Sequence, residues 1–138
     1  LTAANNLPVD TPPFPLNTTF KYNSRQLNSA LDRVGRPFGF RAQQAIEQYV
    51  ANYPGVEEME RYKLAFADQV EQKIIPKLRG IDLGNENAHE CLSEVEGIIA
   101  ELNDEELGGA FDAARTESGN LGMFQWRGVT RKGEEDNA

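Results

Sequence analysis

Cysteine and histidine are almost missing: the 138 residues hold one of each, Cys91 and His89. A lone cysteine closes no intramolecular disulfide, so a reducing, cytoplasmic setting is the expectation. One histidine and one cysteine so close together cannot complete a tetrahedral zinc set. A His-based triad would depend on His89 alone, which falls near the start of an amphipathic segment and is expected at the surface. No run approaches the ~18 apolar residues of a membrane span. Residues 1–6 have neither the basic start nor the apolar centre of a signal peptide. Positive charge is short as well: 14 Lys and Arg stand against 22 Asp and Glu, a net charge of −8. That argues against generic electrostatic wrapping of DNA or RNA. There is no G-x-x-x-x-G-K-[ST] loop, no G-x-G-x-x-G after a strand and no G-x-S-x-G elbow. As a chain on its own this is not expected to be an enzyme.

What is present is ordinary for one globular domain with ragged ends: 39% hydrophobic and 26% charged residues. A chain of this size buries roughly two-thirds of its unfolded surface, so it needs no metal or disulfide to hold a core. Residues 1–19 are rich in Pro and Asn, with Pro8, Pro12, Pro13 and Pro15 close together. They read as an extended linker, with a short strand around residues 18–22.

Residues 20–114 read as a helical domain. Ser24 caps a helix carrying Leu27, Ala30, Leu31 and Val34, stopped by Gly35. A second helix runs from Gly39 or Phe40 to Ala51, with Ala42, Ala45, Ile46, Tyr49 and Val50 inward. After an Asn-Tyr-Pro-Gly turn, a long third helix spans residues 56–78 on the stripe Met59, Tyr62, Phe66, Val70, Ile74 and Leu78. Pro76 should kink it or tighten its last turn. A fourth helix starts near Asn85 or Asn87, where Asn87 and Glu90 have capping-box spacing. Its inward face is Cys91, Leu92, Val95, Ile98, Ile99 and Leu102. Asn103 or Asp104 caps a fifth helix, through Ala114, weakened by Gly108 and Gly109. Residues 115–132 form an aromatic and basic segment, loop or short strand over 124–130, and residues 133–138 a disordered tail. The prediction is an all-α bundle of about five helices with a non-helical arm at each end.

Three segments carry candidate chemistry. In Arg36-Pro37-Phe38-Gly39-Phe40-Arg41, Arg41 sits at a helix N-terminus, the end the dipole makes unfavourable for a cation. Either it serves an anion or it pairs with a nearby carboxylate. Lys73, Lys77 and Arg79 gather at a helix C-terminus, where the dipole favours them; helix-end stabilisation and contact with a subunit or phosphate are both open. Phe124, Trp126 and Arg127 belong either to a terminal segment pinned by Trp126 or to a docking surface, because large apolar groups near a terminus must be covered by something. The acidic clusters at residues 57–60 and 104–106 need no function, since carboxylates suit a first helical turn.

The first two segments resemble the C-terminal helical lid of McrB-like AAA+ NTPases, the motor subunits of modification-dependent restriction systems found in prokaryotic defence islands. Such lids show a helix, a G-[FY]-R segment opening the next, and a longer helix ending in a K-[IL]-L-P-K-[LI]-x-G character. Here those parts are 27–34, Gly39-Phe40-Arg41, and Lys73-Ile74-Ile75-Pro76-Lys77-Leu78-Arg79-Gly80, with 91–102 as the leucine-rich helix that follows. The resemblance covers about residues 20–102. It implies that Arg41 is a sensor-2-like arginine reaching the terminal phosphate of ATP or GTP bound with magnesium, and that Gly39 lets the backbone approach closely. It makes Lys73, Lys77 and Arg79 candidates for contact with an adjacent subunit of a ring, with a nuclease as a possible further partner. The P-loop, Walker B acid and first sensor are absent, so the resemblance implies an upstream core and this chain as a fragment with the Pro-rich leader as connection. The competing expectation is an independent helical module that binds a protein through its aromatic C-terminal segment.

Overall fold

The computed structural model describes residues 16–53 and 58–129. Five α-helices follow one another: α1 (Leu16–Asp32), α2 (Phe40–Asn52), α3 (Glu58–Gln69), α4 (Glu86–Glu101) and α5 (Glu105–Ser118). Between α3 and α4 lie a π-helical turn, Val70–Ile74, and a 3₁₀ turn, Ile75–Leu78. The described residues contain no strand, only one isolated antiparallel bridge between Asp82 and Met123. The all-α expectation holds. None of the described helices is long and apolar enough to cross a membrane.

The start of α1 departs from the sequence reading. The helix begins at Leu16, so residues 18–22 are helical rather than a strand, and Ser24 lies inside the helix rather than at its cap. The cause lies in the buried stripe. Asn23 and Ser24 are buried one turn before Leu27, so polar residues occupy positions where periodicity looks for apolar ones. The Asn23 amide donates to the Tyr62 hydroxyl at 3.0 Å, which satisfies it against α3. At the other end, Gly35 takes φ +74° and closes a Schellman motif. Its N–H donates to the Asp32 carbonyl at 3.0 Å and the Arg36 N–H to the Leu31 carbonyl at 2.9 Å.

The third helix is not uninterrupted. Pro76 has no N–H, and its ring would collide with the carbonyl one turn earlier. The chain widens before it, where the Ile75 N–H donates to Val70, and tightens after it, where the Arg79 N–H donates to Pro76. The tightened last turn matches expectation and the π turn does not. This change of phase buries the adjacent Ile74 and Ile75 together with Val70 and Leu78, all with no exposed surface. Residues 54–57, where the expected helix would begin, lie outside the described residues.

The Asn87 capping box is replaced by a cap two positions earlier, where the Asn85 side chain accepts from the Asn87 N–H at 2.8 Å. Of the two expected candidates, Asn103 and Asp104, it is Asp104 that caps α5 by accepting from the Leu107 N–H at 3.1 Å, and α5 runs on to Ser118 rather than stopping at Ala114. The core joins all five helices: Leu27 and Leu31, Ile46, Phe66, the anticipated face of α4, and Leu107 with Phe111. Arg33 fastens α1 to α4 by bridging Glu90 at 3.2 Å and Glu94 at 2.8 Å. Tyr49 on α2 donates to Asp68 on α3 at 3.0 Å.

After α5 the chain is neither free nor a strand. The Ser118 hydroxyl, fully buried, accepts from the Gln125 N–H at 2.8 Å. Leu83 donates to Gly122, Gly80 to Phe124 and Phe124 to Ile81, at 2.8–3.0 Å. Residues 122–126 are thereby clamped onto the 79–83 loop. The leader 1–15 and the tail 130–138 lie outside the described residues.

Candidate functional site

The connection between α1 and α2 builds one corner of the molecule. Phe38 anchors it: the side chain is buried and its N–H donates to the Asn28 side-chain oxygen at 2.8 Å. Gly39 then becomes the N-cap of α2 in extended conformation, φ −83° and ψ −179°. It supplies no side-chain acceptor, and the first turn of α2 contains no acidic residue. The amides of that turn, with their share of the helix dipole, are therefore left for solvent or a ligand. Phe40 is 75% exposed, the most exposed large apolar side chain among the described residues. Arg41 is exposed and makes no ion pair or side-chain hydrogen bond with any described residue. The alternative of a neighbouring carboxylate partner is not realised there. Gly39 itself is not required by local sterics, since a Cβ built on it meets no atom within 4 Å.

The second predicted group is divided. Lys73 is exposed on the π turn and Lys77 half-buried on the 3₁₀ turn. Arg79 is exposed, but its Nε donates to the Trp126 carbonyl at 3.1 Å, so it has a structural task. Arg36, which opens the first candidate segment but has no role assigned by local pattern, completes this end. Arg36 Nη1 donates to the Lys77 carbonyl at 2.8 Å and the Arg79 carbonyl at 2.9 Å, satisfying acceptors left open where the helical run ends. Gly39 follows Arg36 by three positions, at most ~11 Å of chain. The basic end of the third helical run and the open start of α2 are thus neighbouring features of a chain with net charge −8.

The third predicted group is corrected. Phe124 has no exposed surface and Trp126 is 6% exposed, both packed on Phe111 with ring centroids 5.6 and 6.3 Å away. Phe124 presents no surface to a partner and Trp126 only one edge of its ring, so the two rings pin the segment to the core. Arg127 alone of that group is exposed.

The remaining reactive side chains are structural. Burial pushes the Cys91 thiol up to about 11, with Glu94 adding to the shift and Arg33 opposing it, so the sulfur stays protonated and unreactive near neutrality. Burial likewise pushes Tyr62 up to about 12, against a lowering by Asn23. His89 stands at the surface with Nε2 2.7 Å from the Leu83 carbonyl, to which it donates, tying the loop to α4. No group of three or more His, Cys, Asp or Glu able to hold a metal occurs among the described residues.

No curated protein and no solved structure matches the chain. A family model described as a domain of unknown function, DUF8727, matches residues 13–117. That span takes in the Arg41 corner and the basic end and stops before Phe124. Because the match covers well over half of the sequence, the chain belongs to the DUF8727 family.

Proposed function

We propose that the chain is a helical lid of an AAA+ NTPase of the McrB-like kind. In this reading it presents Arg41 to the terminal phosphate of ATP or GTP, held with magnesium by a core elsewhere in the protein. The observation that carries the reading is the start of α2: an arginine without a partner among the described residues, an exposed phenylalanine and a set of amides without a side-chain cap, in a single turn. An arginine held there without a carboxylate costs stability and has anion-binding geometry in return. Positive charge placed where phosphate charge develops lowers the barrier to transfer. Lys73, Lys77 and the outer face of Arg79 then face an adjacent subunit, and a cytoplasmic setting goes with such a motor. The chain contributes no catalytic step by itself. The rival module that docks through Phe124 and Trp126 has lost its anchors to the core.

The test has two stages. The reading frame upstream of the Leu1 codon should continue through a P-loop and a Walker B strand; a start codon directly before Leu1 overturns the proposal. In the protein carrying that core, Arg41→Ala should lower kcat at least about tenfold, the full contribution of an arginine at a transferring phosphoryl group being about 10³–10⁵. The melting temperature should stay within ~2 °C, because an exposed, unpartnered side chain contributes little to stability. An unchanged hydrolysis rate removes Arg41 from the mechanism.

A further inference from the structure

A groove of about 350 Å³ runs between α5 and the segment that follows it. Its floor is α5, with Gly109 and Ala113 between Glu105 and Glu117; Trp126 and Arg127 stand on the other wall. Trp126 and Arg127 belong to the aromatic and basic segment that the sequence marks as a candidate docking surface; the α5 side of the groove is new, and the groove is independent of the α2 corner. Glu105 and Glu117 are exposed and have no partner among the described residues. Along the helix they are roughly 18 Å apart. Between them Gly109, which has no side chain, and the methyl of Ala113 let a backbone approach closely.

We propose that this groove docks a short extended segment of a partner polypeptide bearing lysine or arginine at both ends. Charge complementarity selects the occupant: carboxylates close the groove at both ends of α5, against a single guanidinium on the facing wall. An extended chain covers that span in about six residues. The apolar middle of such a segment lies over Ala113 and the edge of Trp126, while its terminal cations reach Glu105 and Glu117.

Trp126 is the only tryptophan in the chain, so its emission reports on the groove directly. The probe is a capped hexapeptide, Lys-Ala-Val-Ala-Ala-Lys, titrated into the full chain, with its glutamate-ended counterpart as control. The expected result is a saturable change in Trp126 emission that weakens with added salt and is absent for the acidic peptide. The double variant Glu105→Lys/Glu117→Lys should weaken binding about tenfold or more, because both terminal ion pairs become like-charge contacts. Ala113→Phe, which fills the groove without changing charge, should abolish the response. Circular dichroism of both variants should match the native spectrum. No saturable response, an equal response to both peptides, or indifference to charge reversal in folded variants overturns the proposal. So does a concentration-dependent doubling of mass without a peptide response, which would assign the groove to a second copy of the chain.

Discussion

Replacing Phe124 by alanine separates a pinned C-terminal segment from a docking one. The ring has no exposed surface and packs on Phe111 at 5.6 Å. The residue's N–H and carbonyl also exchange hydrogen bonds with Ile81 and Gly80, at 3.0 and 2.8 Å. A buried aromatic side chain removes about 150–250 Å² from water, on the order of 4–6 kcal/mol at ~25 cal/mol per Å². Part of that remains with the alanine Cβ and part is recovered by relaxation, so the expected loss is about 3–5 kcal/mol. Against a typical total of about 5–15 kcal/mol, the variant should be folded but marginal. Urea titration followed by Trp126 emission and far-UV circular dichroism reads this directly. With an m-value of about 2 kcal/mol/M the midpoint should fall by roughly 1.5–2.5 M. Because Trp126 also packs on Phe111, both probes should move together. A loss below ~1 kcal/mol would mean that Phe124 does not hold the segment down, and the docking reading would return.

Arg36→Ala should cost about 1–2 kcal/mol, because two carbonyls at the end of the helical run lose a charged donor; Arg36→Lys should recover part of it. Thermal melts of the three proteins check this, and an unchanged melt for the alanine variant would mean that water satisfies those carbonyls equally well. Stability should also fall at alkaline pH. Cys91 and Tyr62 have folded pKa values above their ordinary 9 and 10, at about 11 and 12, so the unfolded chain releases protons first. The stabilisation they provide is fully present below about pH 9 and is lost as pH rises toward 11–12. Cys91→Ala should flatten the lower part of that decline in urea midpoints between pH 8 and 11; an identical slope would refute the assignment. Gly39→Asp should add an N-cap and a favourable charge to α2, raising stability by up to ~1 kcal/mol in melts, since the backbone is already extended and a Cβ meets no atom. A destabilised variant would show that the corner is more crowded than its geometry indicates.

The parts of the fold visible in the sequence are those where one local rule acts alone. The inward face of α4 could be read from spacing because every third or fourth position is apolar and nothing interrupts it. Gly35 was equally plain, since a left-handed C-terminus needs only its own residue type; the cap of α5 narrowed to Asn103 or Asp104, and the structure uses Asp104. The misreadings have partners distant in sequence. Asn23 belongs to the core because Tyr62 accepts its hydrogen bond, and no window around residue 23 contains that fact. Arg36 acquires its role from carbonyls on another element. Pro76 announced a disturbance but not its form, because whether the helix kinks or widens depends on what Ile74 and Ile75 pack against. Of the candidate residues, Arg41 was recognisable since it violates a rule at its own position. Phe124 and Trp126 were ambiguous because covering an aromatic ring is a question about the rest of the molecule.

That difference gives the start of α2 its weight. Helices α4 and α5 of the same chain open as stability alone would have it: Asn85 and Asp104 accept from first-turn amides, with Glu86 and Glu105 at the positive end of the dipole. Helix α2 departs from this in three ways within one turn, with glycine at the cap, no acidic residue, and arginine as its second residue. The glycine forgoes a few tenths of a kcal/mol and the missing charge about 0.3–1 kcal/mol more. Leaving Phe40 in water forgoes on the order of 1.5–3 kcal/mol of burial. Each omission alone is within what a surface tolerates. Their coincidence in one turn, beside helices that obey the rules, is the pattern expected where a site is kept open for something outside the chain. If Gly39→Asp gains stability and the NTPase of the proposed reading loses turnover, the omissions belong to that site; gained stability with undiminished turnover would make them idle.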